Sequence, residues 1–142
     1  MPRTIYFSGS ISGGRRDVPF YRQIVATIEA EGHRVLAGTV IADHIGDEGE
    51  PMESRAIFSP DLRWIDEADV LVAEISMPSI GVGYEIAAAR YRNQMPVIAL
   101  YRPAHTRRCT AMVAGDPAIR LIEYSDDSVD AMLQELATAL RE

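Results

Sequence analysis

Glu85, Asp61 and Tyr6 are the side chains whose types and surroundings point to chemistry, and the glycine-rich run from Gly9 to Arg15 is the backbone element suited to a charged ligand beside them. Glu85 follows the segment Pro78-Ser79-Ile80-Gly81-Val82-Gly83-Tyr84, a crossing loop that leaves the apolar run Val70 to Ala73. The spacing predicts a helix from Glu85 to Arg92 that opens on this carboxylate, above the carboxyl end of a buried strand, where open α/β sheets bind ligands. The positive end of a helix favours an anion there, which makes Glu85 a nucleophile candidate. Successive amides of the Gly9, Ser10, Ile11, Ser12, Gly13 and Gly14 turn form an anion nest before a helix, and Arg15 or Arg16 adds charge, so a phosphate is the natural ligand. Each feature also has a plainer reading. A glutamate in a first turn can serve as a dipole or capping residue, Asp61 can be a solvated acid, Tyr6 a core residue and the turn an ordinary βα connection. Their expected convergence at one crevice favours the chemical reading.

Strands and helices must alternate to bring these groups together. Thr4 to Ser8 reads as a first strand, with Asp17 as N-cap of a helix that carries Phe20, Ile24, Val25 and Ile28 and stops at Gly32. His33 to Ala37 is a short second strand, and 38–52, with three glycines, a proline and several acids, is a long surface loop. Glu53 to Glu67 is helical but interrupted at Pro60, which suits a first helical position better than an interior one. Further strands run from Pro96 to Tyr101 and from Ile119 to Tyr124, a basic loop from Arg102 to Arg108, a helical turn from Cys109 to Val113, and an amphipathic helix from Ser125 to Arg141. This pattern implies an α/β fold: a doubly wound, flavodoxin-like sheet of five parallel strands in the order 2-1-3-4-5, as one domain over 1–142, with its switch point between the first and third strands.

Composition narrows the function. A formal net charge of −7 on 142 residues argues against polymeric nucleic acid or an anionic membrane as partner, since binders of either carry a basic face. Cys109 is the one cysteine, no leader or long apolar run is visible, and a cytoplasmic protein is expected. The Gly9 and Gly14 spacing approaches a P-loop, yet Arg15 and Arg16 stand where its lysine and magnesium-binding hydroxyl belong, and the dinucleotide glycine pattern fails as well. His33, His44 and His105 lack ligand spacing, and the acids Asp43, Asp47, Glu48 and Glu50 read as a solvated loop, so no metal is assigned. No serine sits in a nucleophile elbow, and Cys109, although flanked by Arg107 and Arg108, has no paired histidine.

The blocks Tyr6-Phe7-Ser8-Gly9-Ser10-Ile11-Ser12-Gly13-Gly14-Arg15, Asp61-Leu62-Arg63-Trp64, Ala68-Asp69-Val70, Pro78 to Glu85, Arg102-Pro103 and Thr110-Ala111-Met112 occur in register along nearly the whole chain. In these the sequence resembles the 2'-deoxynucleoside 5'-phosphate N-hydrolases of the nucleoside 2-deoxyribosyltransferase superfamily. The resemblance implies that Glu85 attacks the anomeric carbon, that Asp61 assists departure of the base and that Tyr6 orients nucleophile and sugar. It also implies that the Gly9-to-Arg15 turn, Ser79 and Gly81 contact the substrate and its 5'-phosphate without a cofactor. Thr110, Ala111 and Met112 are implied to complete the site of the neighbouring subunit in a homodimer. Three positions depart from the family pattern: Thr110 replaces a serine, Ser12 an arginine and Thr39 a histidine. A deoxyribosyltransferase, a ribonucleotide hydrolase and a nucleotide sensor without turnover are the competing readings.

Overall fold

A computed structural model describes residues 1–11, 16–37, 53–103 and 108–142. Five parallel strands, β1 (Thr4–Gly9), β2 (Arg34–Leu36), β3 (Val70–Glu74), β4 (Val97–Tyr101) and β5 (Ile119–Glu123), form a sheet of order β2-β1-β3-β4-β5, as the alternation predicts. Strands covered on both faces read as near-continuous apolar runs, and β3, apolar up to its closing Glu74, and β4 are buried throughout. The helices α1 (Val18–Ala30) and α5 (Val129–Arg141) cover one face, while α2 (Ser54–Glu67), α3 (Ile80–Ala87) and the short α4 (Ala111–Ala114) cover the other.

Alternation along β1 sorts its side chains: Ile5 and Phe7 enter the core with α1 and α5, whereas Tyr6 packs with Ile65, Leu71, Ala73, Val82 and Ile86 beneath α2 and α3. On α5, Met132, Leu136 and Leu140 recur at helical spacing and are buried. Each such side chain contributes about 1.5–3 kcal/mol by leaving water. Helix α1 ends where expected, because Gly32 takes a φ of 89°, a conformation that other residues adopt only with strain. Gly9 is required for another reason: a Cβ there would lie 2.9 Å from the Tyr21 ring.

Three boundaries differ from those expected. Helix α2 runs unbroken from Ser54 to Glu67 with Pro60 inside it, the burial of Leu62 and Ile65 holding its second half to the sheet despite the missing amide. Helix α3 starts at Ile80, because the Ser79 hydroxyl accepts a hydrogen bond from the Val82 amide at 3.2 Å and caps the helix there. Glu85 therefore stands in the second turn, and a wider π turn from Ala88 to Arg92 continues the helix. Asp17 precedes α1, but its carboxylate makes no cap; it binds Arg102 at 2.7 Å. Residues 38–52, expected to form a long loop and including Thr39, His44 and several acids, lie outside the described residues, as do His105 and Arg107. Among the described residues no helix is long and apolar enough to cross a membrane.

Candidate active site

Strand β1 and helix α3 together build the centre of the site. The two-residue period of the strand sets Tyr6 and Ser8 on one face, both buried, under the helix that carries Glu85. The Tyr6 hydroxyl donates to Glu85 Oε2, and the Ser8 hydroxyl donates to Oε1 at 2.9 Å. Hydrogen bonds to an ionised acceptor are the strong ones, so two donors from a rigid strand fix both the position and the rotation of this half-buried carboxylate. Ser8 was not among the candidate residues read from the sequence. Its signal was present in the strand period, since it lies two positions after Tyr6.

Asp61 is placed by α2. Phe58, Asp61 and Ile65 are spaced three and four apart and share a stripe of that helix. Ile65 is buried against the sheet near Tyr6, and the Phe58 ring meets that of Tyr84 edge-on, with centroids 6.1 Å apart. Partly buried Asp61 lies on that stripe, between these two contacts. Phe58 and Tyr84, both more than half exposed, add an aromatic rim that periodicity alone did not mark.

At the top of β1, Gly9 is packed on Tyr21, and the Ser10 carbonyl lies 3.5 Å from the Tyr21 hydroxyl. The Ser10 hydroxyl is fully buried with no hydrogen-bond partner among the described residues, and Ile11 packs on the α1–α5 core. Ser12, Gly13, Gly14 and Arg15 lie outside the described residues. Ser79 is engaged as the cap of α3; Gly81 is exposed, with open space except for the Ser79 hydroxyl at 3.8 Å.

Thr110, Ala111 and Met112 are exposed at the start of α4, and they lie on the other flank of α3 from Glu85. There an apolar hollow of about 1230 Å³ is lined by Ile80, Val82 and Ile86 of α3 together with Tyr101, Met112 and Ile119. Arg90, in the middle of the π turn, clasps Asp116 through two nitrogens at 2.7 and 2.9 Å and so joins the end of the α3 helix to the segment after α4. Burial, then the charge of Glu123, pushes the Cys109 thiol above its ordinary range. That direction opposes reactivity. Among the described residues no group of three or more histidine, cysteine or acidic side chains is arranged to hold a metal ion.

The family profile described as nucleoside 2-deoxyribosyltransferase matches residues 5–128. A 5-hydroxymethyl-dUMP N-hydrolase of Danio rerio is 38% identical over 135 residues, covering 92% of this chain and 93% of that protein. A Syntrophotalea carbinolica protein with the provisional name 2'-deoxynucleoside 5'-phosphate N-hydrolase 1 is 43% identical over 138 residues, covering 97% and 94%. Among solved structures, a CMP N-glycosidase of Clostridium botulinum superposes with a TM-score of 0.66 at 15% identity, covering 96% of this chain and 98% of that one, which speaks for the fold.

Proposed function

The chain belongs to the nucleoside 2-deoxyribosyltransferase family, and from that premise we propose that it hydrolyses the N-glycosidic bond of 2'-deoxynucleoside 5'-monophosphates, releasing free base and deoxyribose 5-phosphate. The observation that carries the reading is the pair of hydroxyls, from Tyr6 and Ser8, on the two oxygens of Glu85. A carboxylate so fixed attacks the anomeric carbon with one oxygen while the C–N bond breaks. Asp61 gives its proton to the departing base. In the second half the Asp61 carboxylate takes a proton from water, the water oxygen bonds to the anomeric carbon, and the ester bond to Glu85 breaks. Two displacements at one carbon retain configuration, as in carboxylate glycosidases.

The turn that begins at Gly9 and continues through Arg15 binds the 5'-phosphate. A second copy of the chain completes the site. Thr110, Ala111 and Met112 stand away from the Glu85 of their own chain, and Met112 and Ile80 are 84% and 94% exposed, apolar surface of the kind a partner covers. A single thiol and a nucleotide substrate suit the cytoplasm.

The test measures free base released from deoxy and ribo substrates, with and without the 5'-phosphate and an acceptor base, in the absence of added metal. Release from deoxynucleoside monophosphates alone, retained after chelation, is the expected result. Transfer of the sugar to the acceptor at the same rate as hydrolysis would instead make the chain a transferase.

A further inference from the structure

On the α1–α5 face of the sheet the buried Glu74 accepts from the Tyr124 and Ser76 hydroxyls, and the buried Arg102 beside it donates to Tyr124 at 3.1 Å and to Asp17 at 2.7 Å. These side chains are shut from water, and a ligand does not reach them. The other face carries an open feature instead, the rings of Phe58 and Tyr84. Phe58 precedes Leu62 and Ile65 by four and seven positions, so it belongs to the stripe that α2 turns toward the sheet. Leu62 and Ile65 are buried, as that stripe requires, yet Phe58 is 51% exposed. The inward stripe of α2 thus outruns what the sheet covers one turn before Asp61, and leaves an aromatic ring aimed inward with open surface.

On α3 the buried Val82 and Ile86 face the sheet, and Glu85 is bonded to Tyr6 and Ser8 of β1. Tyr84, the residue before it, is 58% exposed and meets Phe58 with the ring planes at 71°. The hollow on the far flank of α3 is lined by Ile80, Gly83 and Ala87 and by neither Tyr84 nor Glu85. Both residues therefore belong to the flank that looks toward α2, Glu85 next to the strand and Tyr84 further out. An edge-to-face contact leaves ring faces unstacked, and a planar aromatic ligand stacks on such a face. We propose that Phe58 and Tyr84 form a specificity-determining wall that takes the flat face of the substrate's nucleobase. The occupant follows from continuity with Glu85. Two hydroxyls fill the strand side of its carboxylate, so the anomeric carbon approaches from the open side, and the base departs further along the same line. Stacking grows with ring area, so the wall favours a two-ring base over a one-ring base. The inference rests on the N-hydrolase reading given above.

The test uses the full chain in the Glu85→Ala background, where binding is read without turnover. Deoxyadenosine 5'-monophosphate, thymidine 5'-monophosphate and the base-free deoxyribose 5-phosphate are titrated calorimetrically, with and without Phe58→Leu, which keeps an apolar side chain and loses the ring. The Kd for the purine nucleotide is expected to rise roughly tenfold, that for the pyrimidine nucleotide by a smaller factor, and that for deoxyribose 5-phosphate to stay within about twofold. Tyr84→Leu should act in the same direction, and it carries the test if Phe58→Leu does not fold. Tyr84→Phe, which keeps the ring, should leave all three constants within about twofold. Equal losses for the nucleotides and the base-free ligand, or unchanged Kd values throughout, would overturn the inference. Unchanged Kd values with a weaker dimer in sedimentation would overturn it too, by giving the rings to a second copy of the chain. Absence of base release by the native protein would refute the proposed activity, a separate result from these titrations.

Discussion

Glu85 and Glu74 are held by the same kinds of donor on opposite faces of one sheet: each carboxylate receives a tyrosine hydroxyl and a serine hydroxyl. Their surroundings separate them. Glu74 also takes a backbone amide, has a guanidinium 4.0 Å away and is 0% exposed, whereas Glu85 is only half-buried. Hydrogen-bond donors therefore orient a carboxylate without deciding its use. Access decides it, since a nucleophile must meet its carbon and a carboxylate sealed among its donors cannot.

The comparison breaks most visibly at Glu85. Glu85→Ala is expected to lower kcat on the order of 10⁴-fold, because it removes the carboxylate that Tyr6 and Ser8 hold for forming the ester. Its melting temperature should change little, and near-native turnover would remove the proposed nucleophile. Glu74→Ala should show the reverse pattern. Removing one partner of a buried ionic cluster leaves the others uncompensated and costs about 3–5 kcal/mol of stability. Urea denaturation should show that loss, while kcat per folded molecule stays within a few-fold. A Glu74 variant as stable as the native chain would mean that the cluster is not what it is taken for.

Smaller changes sharpen the same contrast. Tyr6→Phe deletes one of the two hydrogen bonds that orient Glu85, and bonds to charged groups contribute about 1.5–3 kcal/mol, so kcat should fall about 10- to 100-fold. Ser8→Ala removes the other, made at 2.9 Å, and should cost about tenfold, at the lower edge of that range. Single-turnover rates of base release separate these effects from product release. If neither substitution changes the rate, the two hydroxyls are packing groups and the carboxylate orients itself.

The strand order was legible in the sequence because buried strands, glycine turns and helical spacing each leave a periodic trace, whereas the Tyr6–Glu85 meeting was implied by the family resemblance. Ser8 was not, although the period that places Tyr6 places it too, because a serine at the end of a strand carries no chemistry until its partner is known. Glu74 and Arg102 were invisible for a related reason: a charged residue closing an apolar run reads as a strand end facing water, and its burial depends on Asp17 and Tyr124, far away in sequence. Gly9 was read for its amides, while the structure also gives it a steric cause, the Tyr21 ring. The start of α3 was misplaced because glycines at 81 and 83 read as loop, and only the Ser79 cap reveals that the helix already includes them.

A pH profile of activity would confuse the two regions unless the fold's own titration is known, and His33 supplies that control. It is 9% exposed, and its Nδ1 accepts from the Arg3 amide at 3.1 Å, a bond that only the unprotonated nitrogen can make. Burial first, then the positive charges of Arg3 and the N-terminus, lower its pKa below the ordinary 6.5, with Glu31 opposing. Because the folded value is the lower one, the unfolded chain takes up the proton first as the pH falls. The stability linked to neutral His33 is thus fully present above about pH 6.5 and is lost as the pH drops through the folded value. Melting temperature should decline over that window, and His33→Gln should flatten the decline while leaving kcat at neutral pH unchanged. An activity loss near pH 6 that persists in His33→Gln then belongs to the Glu85 side of the sheet, and one that disappears belongs to the fold.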